Sequence, residues 1–298
     1  MTTLKTRLTL NNGVTMPQLG FGVYQSSPQE TLDSTGFALQ AGYRLIDTAA
    51  IYGNERETGQ AITTSDIARD EIFLTTKLWI HDYGKGATER AFESSLNRLG
   101  LDYIDLWLLH WPVPGDFEAT VESYLVAEAL LRQGRIRAIG VSNFEPAHLD
   151  RLMEHASVVP AVNQIELHPY FPQRMLREKH RELGIVTQAW SPLGGVNIYD
   201  EKDPAKQRHL LDEPILQSIA AEHDKSAAQV VLRWHLQNEI SIIPKSVRQS
   251  RVEANAAVFD FTLSDEEMQK INQLDSGVRG GPDPETGDRQ RFPFVVNP

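Results

Sequence analysis

The chain contains no cysteine. Disulfides, thiolate nucleophiles and cysteine-ligated zinc are therefore excluded from its chemistry. Long apolar runs are missing too: nowhere do about 18 consecutive apolar residues occur, the usual demand of a membrane-spanning helix. The opening MTTLKTRLTLNNG has neither an apolar h-region nor a cleavage signal. Positive charge is in short supply. With 29 Lys and Arg against 40 Asp and Glu the net charge is −11, which argues against a general nucleic-acid or acidic-membrane binder, since either needs a basic face. A local basic pocket stays open. No spacing matches a zinc-binding helix, a nucleophile elbow or a Walker loop. The expectation is a soluble, cytoplasmic protein that handles a small molecule without a metal.

What is present is a regular alternation. A chain of 298 residues can bury a large core, and its length suits one β/α barrel or two ordinary domains. Asn11-Asn12-Gly13 signals a hairpin within residues 1–16, because Asn and Gly accept the positive φ of a tight turn. Strand-like runs then fall at 19–22, 43–47, 72–77, 104–109, 136–141, 161–167, 185–190 and 240–244. Helical patterns separate them at 28–40, 55–61, 88–99, 124–133, 146–155, 173–183, 214–223 and 227–237. Thr88 and Glu89 stand near the start of the third helix and Gly100 just past its end, as capping physics prefers. Strands recurring roughly every 25–30 residues with helices between predict a closed (β/α)8 TIM barrel. A doubly wound open sheet is the runner-up. Against it, no G-x-G-x-x-G follows any strand, and Gly20-Phe21-Gly22 is too short a match. No composition break divides residues 1–298, so one domain is expected. The tail 276–298, rich in Gly, Pro and charge, reads as a long loop, and Phe292, Phe294, Val295 and Val296 favour its partial docking over the rim.

Several strand runs end on polar residues. Asp47 closes one, and Tyr52 follows in a loop carrying Gly53 and Asn54; Lys77 closes the next, and His110 stands just before Trp111-Pro112 after a third. Each alone has an ordinary structural reading as a cap, a half-buried aromatic, a solvated charge or a core histidine. Their shared position at strand C-termini points instead to one rim. A phenol titrates near ~10 and is a poor acid at neutral pH, but an ammonium beside it favours phenolate, and a carboxylate keeps that ammonium charged and aimed. Asp47, Tyr52 and Lys77, with His110 to hydrogen-bond a carbonyl, would suit proton donation to an oxygen that becomes an alkoxide. Such chemistry requires hydride from a bound cofactor.

GYRLIDTAAIYGNE, Lys77 in TTKLW, His110 in LLHWP, IGVSNF, NQIELHPY, AWSPLG and IPKSVRQSR together resemble the aldo-keto reductase family over nearly the whole chain. The form is most similar to bacterial members that reduce diketo-gluconates and methylglyoxal. The resemblance implies a monomeric barrel binding NADPH without a Rossmann domain, with Asp47, Tyr52, Lys77 and His110 as the catalytic tetrad. It implies that Ser142, Asn143 and Gln164 hold the nicotinamide carboxamide, that Trp190 stacks on the ring, and that Gly22 and Val23 line the site. The loop Ser191–Gly195, with Leu193, would cover the pyrophosphate; Lys245, Ser246, Val247 and Arg251 would hold the 2′-phosphate, with Asn255 near the adenine. Tyr24, Trp79, Trp111 and Phe294 would form an apolar wall for a small carbonyl substrate, beside His110. The chain departs from the family pattern at two positions. Ala254 stands where an acidic or amide residue is common, with Glu253 one place early, and Thr58 replaces a usual apolar residue, a packing change.

Two other function classes belong beside this reading. A cofactor-binding regulatory or structural protein could use the same barrel, since fold does not fix function, but would not need a charged Lys–Asp pair beside a phenol. A metal-dependent barrel hydrolase would want more His and Asp at strand ends than Asp47 and His110.

Overall fold

The computed structural model describes residues 3–194 and 209–296. It begins with an antiparallel hairpin, β1 (Arg7–Thr9) and β2 (Thr15–Pro17). Eight strands then form one parallel sheet in which every strand lies beside its neighbours in sequence. They are β3 (Phe21–Gly22), β4 (Leu45–Asp47), β5 (Phe73–Leu78), β6 (Ile104–Leu109), β7 (Ile136–Ser142), β8 (Val162–Glu166), β9 (Val186–Trp190) and β10 (Ser241–Ile242). The ring closes between its ends: Ile242 N donates to Gln18 O at 2.9 Å and Gly20 N to Ile242 O at 2.8 Å. This is the (β/α)8 barrel expected from the alternation.

The central strands are buried on both faces, as their near-continuous apolar runs require. Successive residues alternate between two cores. Leu45, Phe73, Leu106, Leu108 and Ala138 fill the barrel, while Ile46, Leu74, Trp107, Leu109 and Ile139 pack outward against the helices. The hairpin closes the end at which the strands begin. Its Leu10 and Met16 join the interior core, and Asn12 Nδ2 donates to Arg137 O at 2.9 Å, tying the turn to β7.

Ten helices surround the barrel among the described residues: α1 (Pro28–Gln40), α2 (Glu55–Thr63), α3 (Lys85–Leu99), α4 (Phe117–Arg132), α5 (Pro146–Met153), α6 (Arg174–Leu183), α7 (Pro214–Glu222), α8 (Ala227–Gln237), α9 (Gln249–Ala256) and α10 (Asp265–Asn272). None is long and apolar enough to cross a membrane. Three differences from the sequence reading have physical causes. Helix α3 starts at Lys85, so Thr88 lies inside it, its hydroxyl 3.0 Å from Asp82 O and 2.9 Å from Ser123 Oγ rather than at a cap. Helix α4 starts at Phe117 rather than 124, because the hydroxyls of Thr120 and Ser123, which make that stretch look loop-like, are taken up by Pro112 O and Ala119 O. Helices α9 and α10 follow the last strand, beyond the alternating pattern, and Ser264 and Glu267 form a capping box that starts α10.

The tail crosses the rim at which the strands end. Trp79 Nε1 donates to Phe294 O at 2.7 Å, His81 Nε2 lies 2.7 Å from Phe292 O, and Arg289 bonds both Ile80 O and Asp116. Its docking is therefore polar as well as apolar.

Helix α2 approaches the end of α3 closely, since a Cβ placed on Gly59 would collide with the carbonyl of Leu99. Gly→Ala inside a helix ordinarily adds about 1 kcal/mol of stability. Here the sign should reverse: overpacking of this kind costs about 1–3 kcal/mol. Gly59→Ala is expected to lower the urea midpoint, and an unchanged or raised midpoint would show that the two helices separate freely.

Candidate active site

The rim gathers side chains from successive strands because each strand ends at the same level. Asp47 is the last residue of β4, Lys77 lies near the end of β5, and His110 follows β6. Lys77 is fully buried, and its Nζ donates to Asp47 Oδ1 at 2.5 Å, to Thr48 O at 2.9 Å and to Tyr52 Oη at 3.4 Å. The other carboxylate oxygen, Asp47 Oδ2, accepts Gln164 Nε2 at 2.7 Å. Burial pushes the Asp47 carboxyl up, against the pull of Lys77 and Gln164, and pushes the Lys77 ammonium down, against Asp47 and Glu55. The pair thus persists on mutual support.

Tyr52 ends a short 3₁₀ turn, Ala50–Tyr52, that is capped by Gly53 at φ 68°. Buried Asn54 fixes this loop from below. Its Oδ1 accepts Thr48 Oγ1 at 2.8 Å, and its Nδ2 donates to Val23 O at 3.0 Å and Thr31 Oγ1 at 3.1 Å. Beside it, buried Glu55 accepts Thr76 Oγ1 at 2.6 Å and Arg98 Nε at 2.8 Å, placing a second carboxylate under the Lys77 strand. Thr58 donates its hydroxyl to Asn54 O at 2.9 Å, which explains how a polar residue is tolerated there.

His110 stands with its ring 5.7 Å from that of Tyr52 and 5.2 Å from that of Trp79. Burial, with the Lys77 charge adding to it, holds His110 well below the ordinary imidazole range, so the ring is neutral at neutral pH. Among the described residues its buried Nδ1 has no hydrogen-bond partner. Tyr24, 43 % exposed, lies 4.9 Å from the Tyr52 ring. Phe292, not Phe294, packs against Trp79 and Trp111, at 5.8 and 5.1 Å. Phe294 is 63 % exposed and contributes its carbonyl to Trp79.

The residues expected to hold a cofactor lie along the same rim. Ser142 Oγ donates to Gln164 O at 2.7 Å. Asn143, at φ 64°, donates to His110 O at 3.0 Å and accepts Trp190 Nε1 at 2.8 Å. Gln164 Nε2 also donates to Gln188 Oε1 at 2.8 Å, and Gln188 Nε2 to Ser241 Oγ at 3.0 Å, a buried chain that no sequence motif marked. Gly22 ends β3 and Val23 follows it; a Cβ on Gly22 would stand 3.0 Å from Ile243 O. Leu193 packs on the outer core and Ser191 has φ 47°; Gly195 lies outside the described residues. After β10, Lys245 and Arg251 are exposed together with Arg248, which sequence reading passed over, while Asn255 on α9 is buried. Ser246 Oγ accepts Arg248 N at 3.2 Å at the start of α9.

A family model described as the aldo/keto reductase family matches residues 16–276. The chain is 53% identical over 290 residues to morphine 6-dehydrogenase of Pseudomonas putida, across 97% of this chain and 98% of that protein. It is 45% identical over 285 residues to methylglyoxal reductase DkgA of Yersinia pestis, across 95% and 98% of the two. Among solved structures, a Bombyx mori aldo-keto reductase in complex with NADP superposes with a TM-score of 0.86 at 33% identity, across 95% of this chain and 97% of that one.

Removing one member of a buried ion pair costs about 3–5 kcal/mol, because the other is left charged and alone. Lys77→Met should show that loss at pH 7. Asp47 would then keep the upward push of burial, the largest influence on it, against the Gln164 hydrogen bond alone, so its folded pKa would exceed its unfolded one. The variant binds a proton on folding and its deficit should shrink as pH falls from 7 toward 4. Denaturation midpoints of wild type and variant across that range check this, and a deficit that grows on acidification would contradict it.

Proposed function

Because the chain belongs to the aldo/keto reductase family, we propose that it reduces small aldehydes or ketones, dicarbonyl and sugar-derived ones included, to alcohols with NADPH, and that Tyr52 is the general acid. The observation that carries the reading is the continuous contact from Asp47 through Lys77 to the Tyr52 hydroxyl inside the rim. An ammonium 3.4 Å from the phenol oxygen stabilises the phenolate left when the proton departs. Asp47 holds that ammonium in place against desolvation.

His110 supplies the second contact. A bare buried nitrogen is less costly than a buried N–H without an acceptor, so the neutral ring with its unpartnered Nδ1 places the proton on Nε2, a donor for the substrate oxygen. The carbonyl is thereby held between a neutral donor and the phenol. Trp79, Trp111 and Phe292 supply an apolar wall that keeps water from the reacting carbon.

The residues present fit NADPH. The half-buried Trp190 indole lies beside the Asn143 amide, and Gln164 has its Nε2 committed to Asp47 and Gln188, which leaves Oε1 as the acceptor for a carboxamide N–H. Ser142 belongs to the same group. Gly22 and Val23, the Ser191–Leu193 turn, and Lys245, Ser246, Val247 and Arg251 would hold the remainder, with Asn255 toward the adenine. When bound, NADPH supplies hydride to the carbonyl carbon. Tyr52 supplies the proton to its oxygen, which balances the reduction of C=O to CH–OH.

Tyr52→Phe should lower turnover by ~10²–10⁴ with NADPH affinity nearly intact, measured by loss of reduced-nicotinamide absorbance over a panel of aldehydes and by titration. Near-wild-type reduction by the variant would remove Tyr52 from the role. A wild type that binds NADPH and reduces nothing in the panel would favour a regulatory protein on the same barrel.

Cofactor choice follows from the exposed cations after β10 in an otherwise acidic chain. Charge-assisted contacts of Lys245 and Arg251 with a 2′-phosphate are worth ~1.5–3 kcal/mol each, enough for a preference on the order of a hundredfold over NADH. Arg251→Ala should weaken NADPH binding, leave NADH binding nearly unchanged and flatten the salt dependence of the former. Equal losses for both cofactors would place Arg251 elsewhere.

A further inference from the structure

Glu166, the last residue of β8, is fully buried, and its register partner is Trp190 at the end of β9. A buried carboxylate needs donors on both oxygens. It finds them in the tail: Oε1 accepts Gly280 N at 2.6 Å and lies 2.9 Å from His168 Nε2, while Oε2 accepts Gly281 N at 2.9 Å. Neighbouring contacts dock the same stretch. Ser276 N donates to Tyr170 O at 3.0 Å, and Arg279 pairs with Glu145 at 2.5 Å while its guanidinium lies 4.8 Å from the Phe171 ring centre.

This docking bears directly on Trp190. A Cβ placed on Gly281 would stand 2.5 Å from Trp190 Cη2, 3.3 Å from Cζ3 and 3.0 Å from Glu166 Oε2. The tail backbone is thus packed against the benzo edge of the indole as closely as a glycine allows. The opposite end of the ring is held by the bond from Nε1 to Asn143 Oδ1 at 2.8 Å. The indole is fixed at both ends, which removes rotation about its χ2.

We propose that Glu166 is a positioning residue for the cofactor site: by gripping the Gly280 and Gly281 amides it presses the start of the tail against Trp190 and holds the indole at the angle for nicotinamide stacking. Gly281 is the contact through which it acts. The proposal rests on the assignment of Trp190 to the nicotinamide made above. It makes the first residues of the tail part of the cofactor site, whereas the residues around Phe292 face the substrate wall.

The test is a double-mutant cycle read by calorimetric titration with NADPH. Glu166→Gln presents one acceptor and one donor and cannot take both amides; Gly281→Ala keeps both amides as donors but puts a methyl 2.5 Å from the ring and 3.0 Å from Glu166 Oε2. Each should weaken NADPH binding roughly tenfold, about 1.4 kcal/mol. In a Trp190→Ala background the same changes should weaken it less than about twofold, since contacting residues couple and independent ones add. Thermal unfolding identifies a variant that has lost its fold, in which case the other carries the cycle. An undiminished loss in the Trp190→Ala background overturns the proposal, as does wild-type affinity in both single variants or an unaltered affinity in Trp190→Ala itself. A wild type without measurable NADPH binding would instead overturn the functional reading on which the proposal rests.

Discussion

The interaction on which the site depends is an ion pair inside a barrel. Desolvation opposes both charges, and Coulomb attraction between Lys77 and Asp47 offsets it with the help of hydrogen bonds to the remaining atoms of the pair. Thr48 O takes one Lys77 proton, and Gln164 covers the second Asp47 oxygen. A carboxylate can only accept, so it dictates which way the Gln164 amide faces. That choice passes to Gln188 and ends at Ser241, across β8, β9 and β10. The chemistry at the rim and the polar filling of the barrel are one hydrogen-bond system.

A second layer supports the first from outside the barrel. Glu55 and Arg98 place a further ion pair behind β5, and Asn54 ties the ends of β3 and β4 to α1. The loop that carries Tyr52 is short, so holding its two ends sets the phenol within reach of Lys77. The site owes its geometry to rigid strand ends and to the hydrogen bonds of Asn54 and Glu55 rather than to the loop's own packing.

Much of this was legible in the sequence, for identifiable reasons. Apolar runs ending on Asp47, Lys77 and His110 mark strand C-termini, and strands of this barrel end at one level, so local patterns carried long-range information. The Asn11-Asn12-Gly13 turn announced the hairpin by the same local logic. What stayed hidden depends on pairings between distant residues. Gln188 looks like any strand residue until Gln164 is opposite it, and Glu166 reads as part of a motif until the tail arrives 114 positions later. The early start of α4 was obscured by hydroxyls whose acceptors lie in the preceding loop and turn. Phe292 and Phe294 could not be told apart because the tail has no periodicity to say which side chain faces the rim.

The tail joins loops from several strands: Trp79, Ile80 and His81 after β5, Asp116 after β6, Glu145 after β7, and Glu166 at the end of β8. Its ties are ion pairs and bonds to specific backbone atoms, each useless without its counterpart. A change on either side of these ties therefore calls for a change on the other. A tail that did not present the same groups at the same places would unpair Glu145 and Asp116 and leave buried Glu166 with His168 alone. The segment with the loosest sequence rules is thus among the least free to be traded.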